Sequence, residues 1–319
     1  MRRDYTLVNG SLQLAEPGQA VTWTDLFAPD RTEEAALEEV LGIDLPTRDD
    51  MVEIVTSSRI YSEGGALYLT ATVPAQMETN APMSGPVSFV LAPDRLVTIR
   101  YHSPRAFDEF PQAAARTRGS YSTPTGLMLA LLEAIVDRLA DILETESRAL
   151  DDISREIFPI QTKTRRKPGR LQSAIGRIGR MGELDAIIQD SLQTLERMVG
   201  HLAQFPIRRL AAPERRDQAQ ALLRDIQSLV DYSGALSQRT SFLLSATLGM
   251  VGLEQNEIIK FFSVVSVIFL PPTLVGTVYG MNFQTMPELA HPYGYAAALG
   301  AMLVTALAPY LWFKWRGWF

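Results

Sequence analysis

"FFSVVSVIFLPPTLVGTVYG", Phe261 to Gly280, is a run of twenty residues without a charge, and "YGYAAALGAMLVTALAPYLWF", Tyr293 to Phe313, is a second such run. At about 1.5 Å of rise per residue, a helix of this length reaches about 30 Å, the thickness of a bilayer's hydrocarbon core. The competing reading is a buried helix pair in a soluble protein. Two uncharged runs joined by a short hairpin make that the weaker reading, so we expect transmembrane helices over 261–280 and 293–313 and an extracytoplasmic loop over 281–292. Lys260 precedes the first run, Lys314 and Arg316 follow the second, and the loop between has neither Lys nor Arg. Basic flanks stay inside, so both termini and the basic tail 314–319 are expected in the cytoplasm, in a multi-pass protein of the cell inner membrane. Tyr293, Tyr295, Trp312, Trp315 and Trp318 fall where interfacial aromatic anchors belong.

The rest of the chain has a different character. Net charge is −6, and from Phe261 onward only Glu288, Lys314 and Arg316 are charged, so residues 1–260 carry −7. An acidic front of this kind argues against nucleic acid as a partner and favours attraction of cations. With no cysteine, disulfides and thiolate metal sites are excluded. His102, His201 and His291 lie too far apart to form a motif. "MRRDYTLVNGSLQLAEPG" has basic residues but no apolar run behind them, so it does not read as a secretory signal.

Residues 1–120 read as an α/β cytoplasmic domain. "MVEIV" (51–55), "ALYLTATV" (66–73), "VSFVLA" (87–92) and "LVTIRY" (96–101) are expected strands, with an acidic helix "TEEAALEEVLG" ending near Gly42. Ser103 with Pro104, and Thr123 with Pro124, are helix starts with proline at the first position. Residues 121–212 are expected to form a helical hairpin. Its first helix runs from Pro124 to near Pro159 with Leu127, Leu131, Ile135, Leu139, Leu143 and Leu150 on one face, and its second runs to about Gln204. The basic run "TKTRRKPGR" between them reads as a solvated tip. No nucleophile elbow, phosphate loop or metal-protease signature occurs, so an enzyme is not expected.

From 213 to 260 a stalk helix is expected. Leu222, Ile226, Leu229, Ser233, Leu236, Thr240, Leu243, Thr247 and Met250 alternate steps of four and three, a heptad seam. It reads either as ordinary packing within one chain or as an oligomeric stalk. In the first membrane run, Ser263, Ser266, Leu270, Thr273 and Thr277 form a stripe. Small hydroxyls can glue membrane helices or line water. Spacing leaves the two equal, and apparent continuity with the seam favours a pore around a symmetry axis.

"YGMNF" (Tyr279 to Phe283), "MPEL" (Met286 to Leu289), "LAPYLWFK" (307–314) and "EQNEIIKFFSVVSVIFLPPTLV" (254–275) resemble the CorA family of Mg²⁺ and divalent-cation channels. The strong similarity covers the last 66 residues, and the front half agrees in pattern only. The resemblance implies a funnel-shaped homopentamer with an α+β cytoplasmic domain, a long helical stalk and a two-helix transmembrane hairpin. Its implied activity is influx of hydrated Mg²⁺, with Co²⁺ or Ni²⁺ as poorer substrates, and its implied partners are membrane lipid and further copies of the chain.

Gly280, Met281 and Asn282 are the selectivity residues that the resemblance implies. Mg²⁺ gives up water reluctantly, so a ring of neutral carboxamides can touch its hydration shell and still release it. Gly280 allows close backbone approach at the mouth, and Met281 is expected to pack behind the ring. Glu288 is read as an outer collector of cations or as an ordinary loop acid, and Gln284 stands where many relatives carry a second acid. Asn256, Ile259, Phe262, Ser266, Leu270, Thr273 and Thr277 match pore-facing family positions, with Phe262 in place of the Ser263 that spacing selects. The family also senses internal Mg²⁺ through cytoplasmic carboxylates. The candidates are Asp217, Asp225 and Asp231, within a wider set that includes Asp25, Asp30, Asp151 and Asp152. The alternatives are a Zn²⁺ transporter of the ZntB type and a non-transporting two-helix membrane sensor.

Overall fold

The computed structural model describes residues 1–53, 55, 59–79, 81–116, 123–158, 169–204, 213–281, 286–287 and 291–317. The chain divides into two compact units, Met1–Leu244 and Ser245–Phe319.

The first unit is built on a seven-stranded sheet: β1 Arg2–Val8, β2 Ser11–Leu14, β3 Trp23–Phe27, β4 Ile60–Glu63, β5 Ala66–Ala75, β6 Met83–Leu91 and β7 Leu96–Arg100, in the order β2-β1-β3-β7-β6-β5-β4. Every pairing is antiparallel except β3 with β7, where Asp25 lies opposite Thr98 and Phe27 opposite Arg100. Strands β5 and β7 are buried along their whole length, which is why they lack a strict alternation of apolar and charged residues.

Helices α1 (Arg31–Leu41) and α2 (Arg48–Val52) contribute Leu37 and Met51 to a core with Leu26, Tyr68, Val90, Val97 and Ile99. Helix α1 starts on Asp30, whose carboxylate accepts from the N–H groups of Thr32 and Glu33, and ends on Gly42 at φ 66°. Trp23 and Phe89 stack instead near Phe107 of α3 (Arg105–Arg116), at 6.4 Å from it in each case. Long helices α4 (Pro124–Ile157) and α5 (Arg170–Gln204) follow. The Thr194 hydroxyl on α5 accepts the Thr72 N–H of β5 (2.9 Å), tying the hairpin to the sheet.

Two local expectations change. Within "MVEIV", Met51 and Val52 are not strand but end α2, and Ile54 lies outside the described residues. There Thr47 and Asp50 form a reciprocal capping box and Met51 is fully buried, so a cap with a core anchor overrides β propensity. The hairpin β1–β2 lies in a stretch that the sequence reading left without structure. Its signal is Asn9-Gly10, both residues at positive φ (54° and 81°), as a two-residue type I′ turn requires.

Helix α6 runs unbroken from Pro213 to Tyr279, where the sequence reading places a stalk followed by a membrane helix. Helix α7 spans Gly294–Trp315. Both are long and apolar enough to cross a membrane. Most residues of α7 and of the apolar end of α6 are exposed or half-buried within the chain, as helices that face lipid or other copies would be.

The seam on α6 is not free for other copies. Leu222, Ile226, Ser233, Leu236, Thr240 and Leu243 are all buried in the first unit, with Leu229 half-buried. Asp185 of α5 lies beside Thr240, and Arg239 pairs with Asp151 of α4. Ordinary packing against α4 and α5 therefore accounts for these heptads. Nor does the seam lead into the polar stripe: steps of four and three from Met250 reach Glu254, Glu257, Phe261, Val264 and Ile268, and Val264 is buried.

Candidate functional site: the open face of the first membrane-length helix

Within the second unit, α6 has two unlike sides. Val264 is buried at 5% exposure, and Ile268, Pro271, Pro272, Val275, Gly276 and Tyr279 are half-buried. At 3.6 residues per turn these share one face. It is the face that meets α7, since a Cβ built on Gly276 would lie 3.3 Å from the Met302 terminal methyl. Asn256, Ile259, Phe262, Ser266, Leu270, Thr273 and Thr277 are all exposed, Leu270 at 71%, and their helical angles place them roughly opposite. Ser263 is exposed too, on the flank of that side. The hydroxyl stripe thus does not glue α6 to α7.

The Thr273 hydroxyl donates to the Phe269 carbonyl (2.7 Å) and the Thr277 hydroxyl to the Thr273 carbonyl (2.8 Å). Each proton is used inside the helix, so what the open face offers is oxygen lone pairs, the right polarity for a hydrated cation. Pro271 and Pro272 withhold two N–H groups from the same segment.

Gly280 follows the last helical residue. Its N–H reaches the carbonyls of Gly276 (3.0 Å) and Thr277 (3.2 Å), and a Cβ on it would stand 3.2 Å from the Gly276 oxygen. Glycine is therefore favoured by crowding at the helix end. Met281 is 43% exposed in the single chain, so nothing within the chain supports its expected packing behind a filter. Asn282, Gln284 and Glu288 lie outside the described residues.

The cytoplasmic acids separate clearly. Asp25 is 2% exposed and held by Arg100 through two bonds (Nη2 to Oδ2 2.8 Å, Nε to Oδ1 3.1 Å) and by the Thr98 hydroxyl (2.8 Å). Asp30 caps α1, Asp151 pairs with Arg239, and Asp152 pairs with Arg155 at 3.3 Å. Four of the seven acids are thus occupied. Asp217, Asp225 and Asp231 are exposed on α6. Asp225 faces two acids of α4 that the sequence reading passed over, Glu133 and Asp137. Partial burial raises the carboxyl of each above its usual range; for Glu133 the charges of Asp137 and Asp225 add to the effect, and for Asp137 those of Asp141 and Asp225. The missed signal is Glu133 and Asp137 at i and i+4 on α4. Among the described residues no group of three or more His, Cys, Asp or Glu side chains is placed to hold a metal ion.

A sheet-and-helix unit followed by two membrane-length helices, the first carrying an open polar stripe, defines a two-helix membrane protein with a large α/β unit. Residues 18–315 match the family model described as CorA-like Mg²⁺ transporter protein. The chain belongs to that family. It is 33% identical over 297 residues (93% of this chain, 91% of the relative) to a magnesium transport protein CorA of Haemophilus influenzae. A magnesium transport protein CorA of Pasteurella multocida is 34% identical over 305 residues, which is 95% of this chain and 93% of that one. The solved CorA magnesium transporter of Methanocaldococcus jannaschii superposes with a TM-score of 0.79 at 17% identity, covering 100% of this chain and 98% of that one. At that identity the structural likeness speaks for the fold alone.

Proposed function

We propose that this chain is a magnesium channel of the cell inner membrane, carrying hydrated Mg²⁺ inward, with Co²⁺ and Ni²⁺ as poorer substrates. The observation that carries the reading is the stripe Asn256–Thr277 on α6, open, turned away from α7 and leading up to Gly280. In a homopentamer five such faces would enclose a water-filled path, with Phe262 and Leu270 narrowing it and Ser266, Thr273 and Thr277 supplying oxygens. Asn282 then contributes one carboxamide per copy to a ring, with Gly280 and Met281 shaping its mouth and Glu288 concentrating cations outside. Both termini are cytoplasmic in this arrangement. Internal Mg²⁺ acts on Asp217, Asp225 and Asp231, of which Asp225 has the best-supported setting, opposite Glu133 and Asp137.

A ZntB-type Zn²⁺ transporter has less support, since the relatives described above are named for magnesium. Mg²⁺ uptake in starved cells tests the reading: Asn282→Ala, inserted at wild-type levels, is expected to lose most of its flux. Undiminished uptake would remove the filter assignment, and Zn²⁺ flux that Mg²⁺ fails to compete with would favour the alternative.

A further inference from the structure

The core formed by α4, α5 and the first part of α6 holds two acids with no counter-charge. Glu146 of α4 is 3% exposed and Asp185 of α5 is 2% exposed. None of their four carboxyl oxygens has a hydrogen-bond partner of normal geometry, and the buried hydroxyls of Ser233 and Thr240 on α6 are unsatisfied as well. Asp185 lies against Glu146 on one side and Thr240 on the other. No other charged group among the described residues acts appreciably on the pair. Of the cations on neighbouring turns, Arg148 pairs with Glu144, Arg177 with Glu156 and Arg239 with Asp151, while Arg180 is exposed.

Two ionised carboxylates cannot share a dry site without a compensating charge. A proton on one of them removes one charge and supplies a donor to the other. A Mg²⁺ ion held by one or two carboxylates keeps several waters, and it would have to bring that hydration shell into a site where Glu146 is 3% and Asp185 2% exposed. We infer that Glu146 and Asp185 share one proton and make the α4–α5–α6 bundle a pH-responsive element, tight while the proton is held and loosened when it leaves.

Burial, reinforced by the charge of Asp185, pushes the Glu146 carboxyl up to about 8, and burial raises Asp185 also. The folded bundle therefore binds a proton that the unfolded chain, with an ordinary glutamate near 4.5, releases. The contribution is fully present below that ordinary value and declines as pH rises, to be lost once the folded pair has ionised at about 8.

The test is hydrogen exchange of the full chain in nanodiscs at pH about 6.5 and about 8.5, corrected for intrinsic exchange rates. Peptides from α4, α5 and the first part of α6 should lose about tenfold or more of their protection at the higher pH, while β6 and β7 change less. Glu146→Gln, which keeps shape and a donor without titrating, should show equal protection at both. Infrared spectra of the unmodified protein should contain a protonated carboxyl band at the lower pH that Glu146→Gln lacks. The same pH response in both proteins, or no such band in the unmodified one, would overturn the inference. So would Mg²⁺ restoring protection at high pH in the unmodified protein but not in Asp185→Asn, because the pair would then hold a cation.

Discussion

Asp25 shows how one residue can look functional and be structural. It is an acid in a chain whose acids were candidate sensors, yet it sits in the one parallel pairing of the sheet with Arg100 gripping both carboxylate oxygens. The network extends from Trp23, whose indole N–H donates to Thr98 (3.0 Å), to His102, whose backbone carbonyl accepts from Arg100 (3.0 Å). A fork-to-fork pair of this kind has every charge matched, so breaking it leaves an uncompensated ion in the core. Asp25→Asn is expected to cost about 3–5 kcal/mol, whereas Asp30→Ala, which removes only a helix cap, should cost about 1 kcal/mol. Urea midpoints of the purified chain check the ranking. Equal effects would mean that the buried pair is not the stronger constraint.

At the scale of elements, helix α6 shows what sequence periodicity conveys and where it misleads. Helical periodicity located the hairpin helices α4 and α5, and two long uncharged runs located the membrane-length helices. It did not say which neighbour the seam meets. A heptad looks the same whether the facing helix belongs to the same chain or to another, and here α4 and α5 of the same chain fill it. The proton-sharing pair was legible in principle: Glu146 lies between Leu143 and Leu150 at steps of three and four, and Asp185 between Ile178 and Leu192 on the corresponding face of α5. An acid at a core position of two successive helices was the signal. The strands β1 to β3 were harder to see, since short, half-polar strands carry weak alternation. The seam assignment has a direct check. Ile226→Ala should destabilise the bundle by about 2–5 kcal/mol in thermal or denaturant unfolding, as removal of a fully buried side chain does. Phe242 is 63% exposed on the same helix, so Phe242→Ala should leave bundle stability within about 0.5 kcal/mol. A reversed order would place the seam on a face that other copies cover.

For the whole molecule, the question is whether the open face of α6 meets water or lipid once the chain is in a bilayer. Lipid would accept Phe262 and Leu270, but a row of hydroxyls turned toward hydrocarbon would gain nothing from their lone pairs, whereas a water-filled path would use them. The absence of cysteine makes the distinction measurable, because a single introduced thiol is the only one in the protein. Thiols at Ser266, Thr273 and Thr277 should react with small water-soluble thiol reagents in vesicles, and modification should reduce divalent-cation flux. A thiol at Val264, on the α7 side and 5% exposed, should react slowly and leave flux unchanged. The unmodified protein serves as the blank. If Val264→Cys reacted as fast as Thr273→Cys, water would not distinguish the two faces. If Thr277→Cys resisted every polar reagent while flux persisted, the ions would have to cross the membrane along some other surface than this stripe.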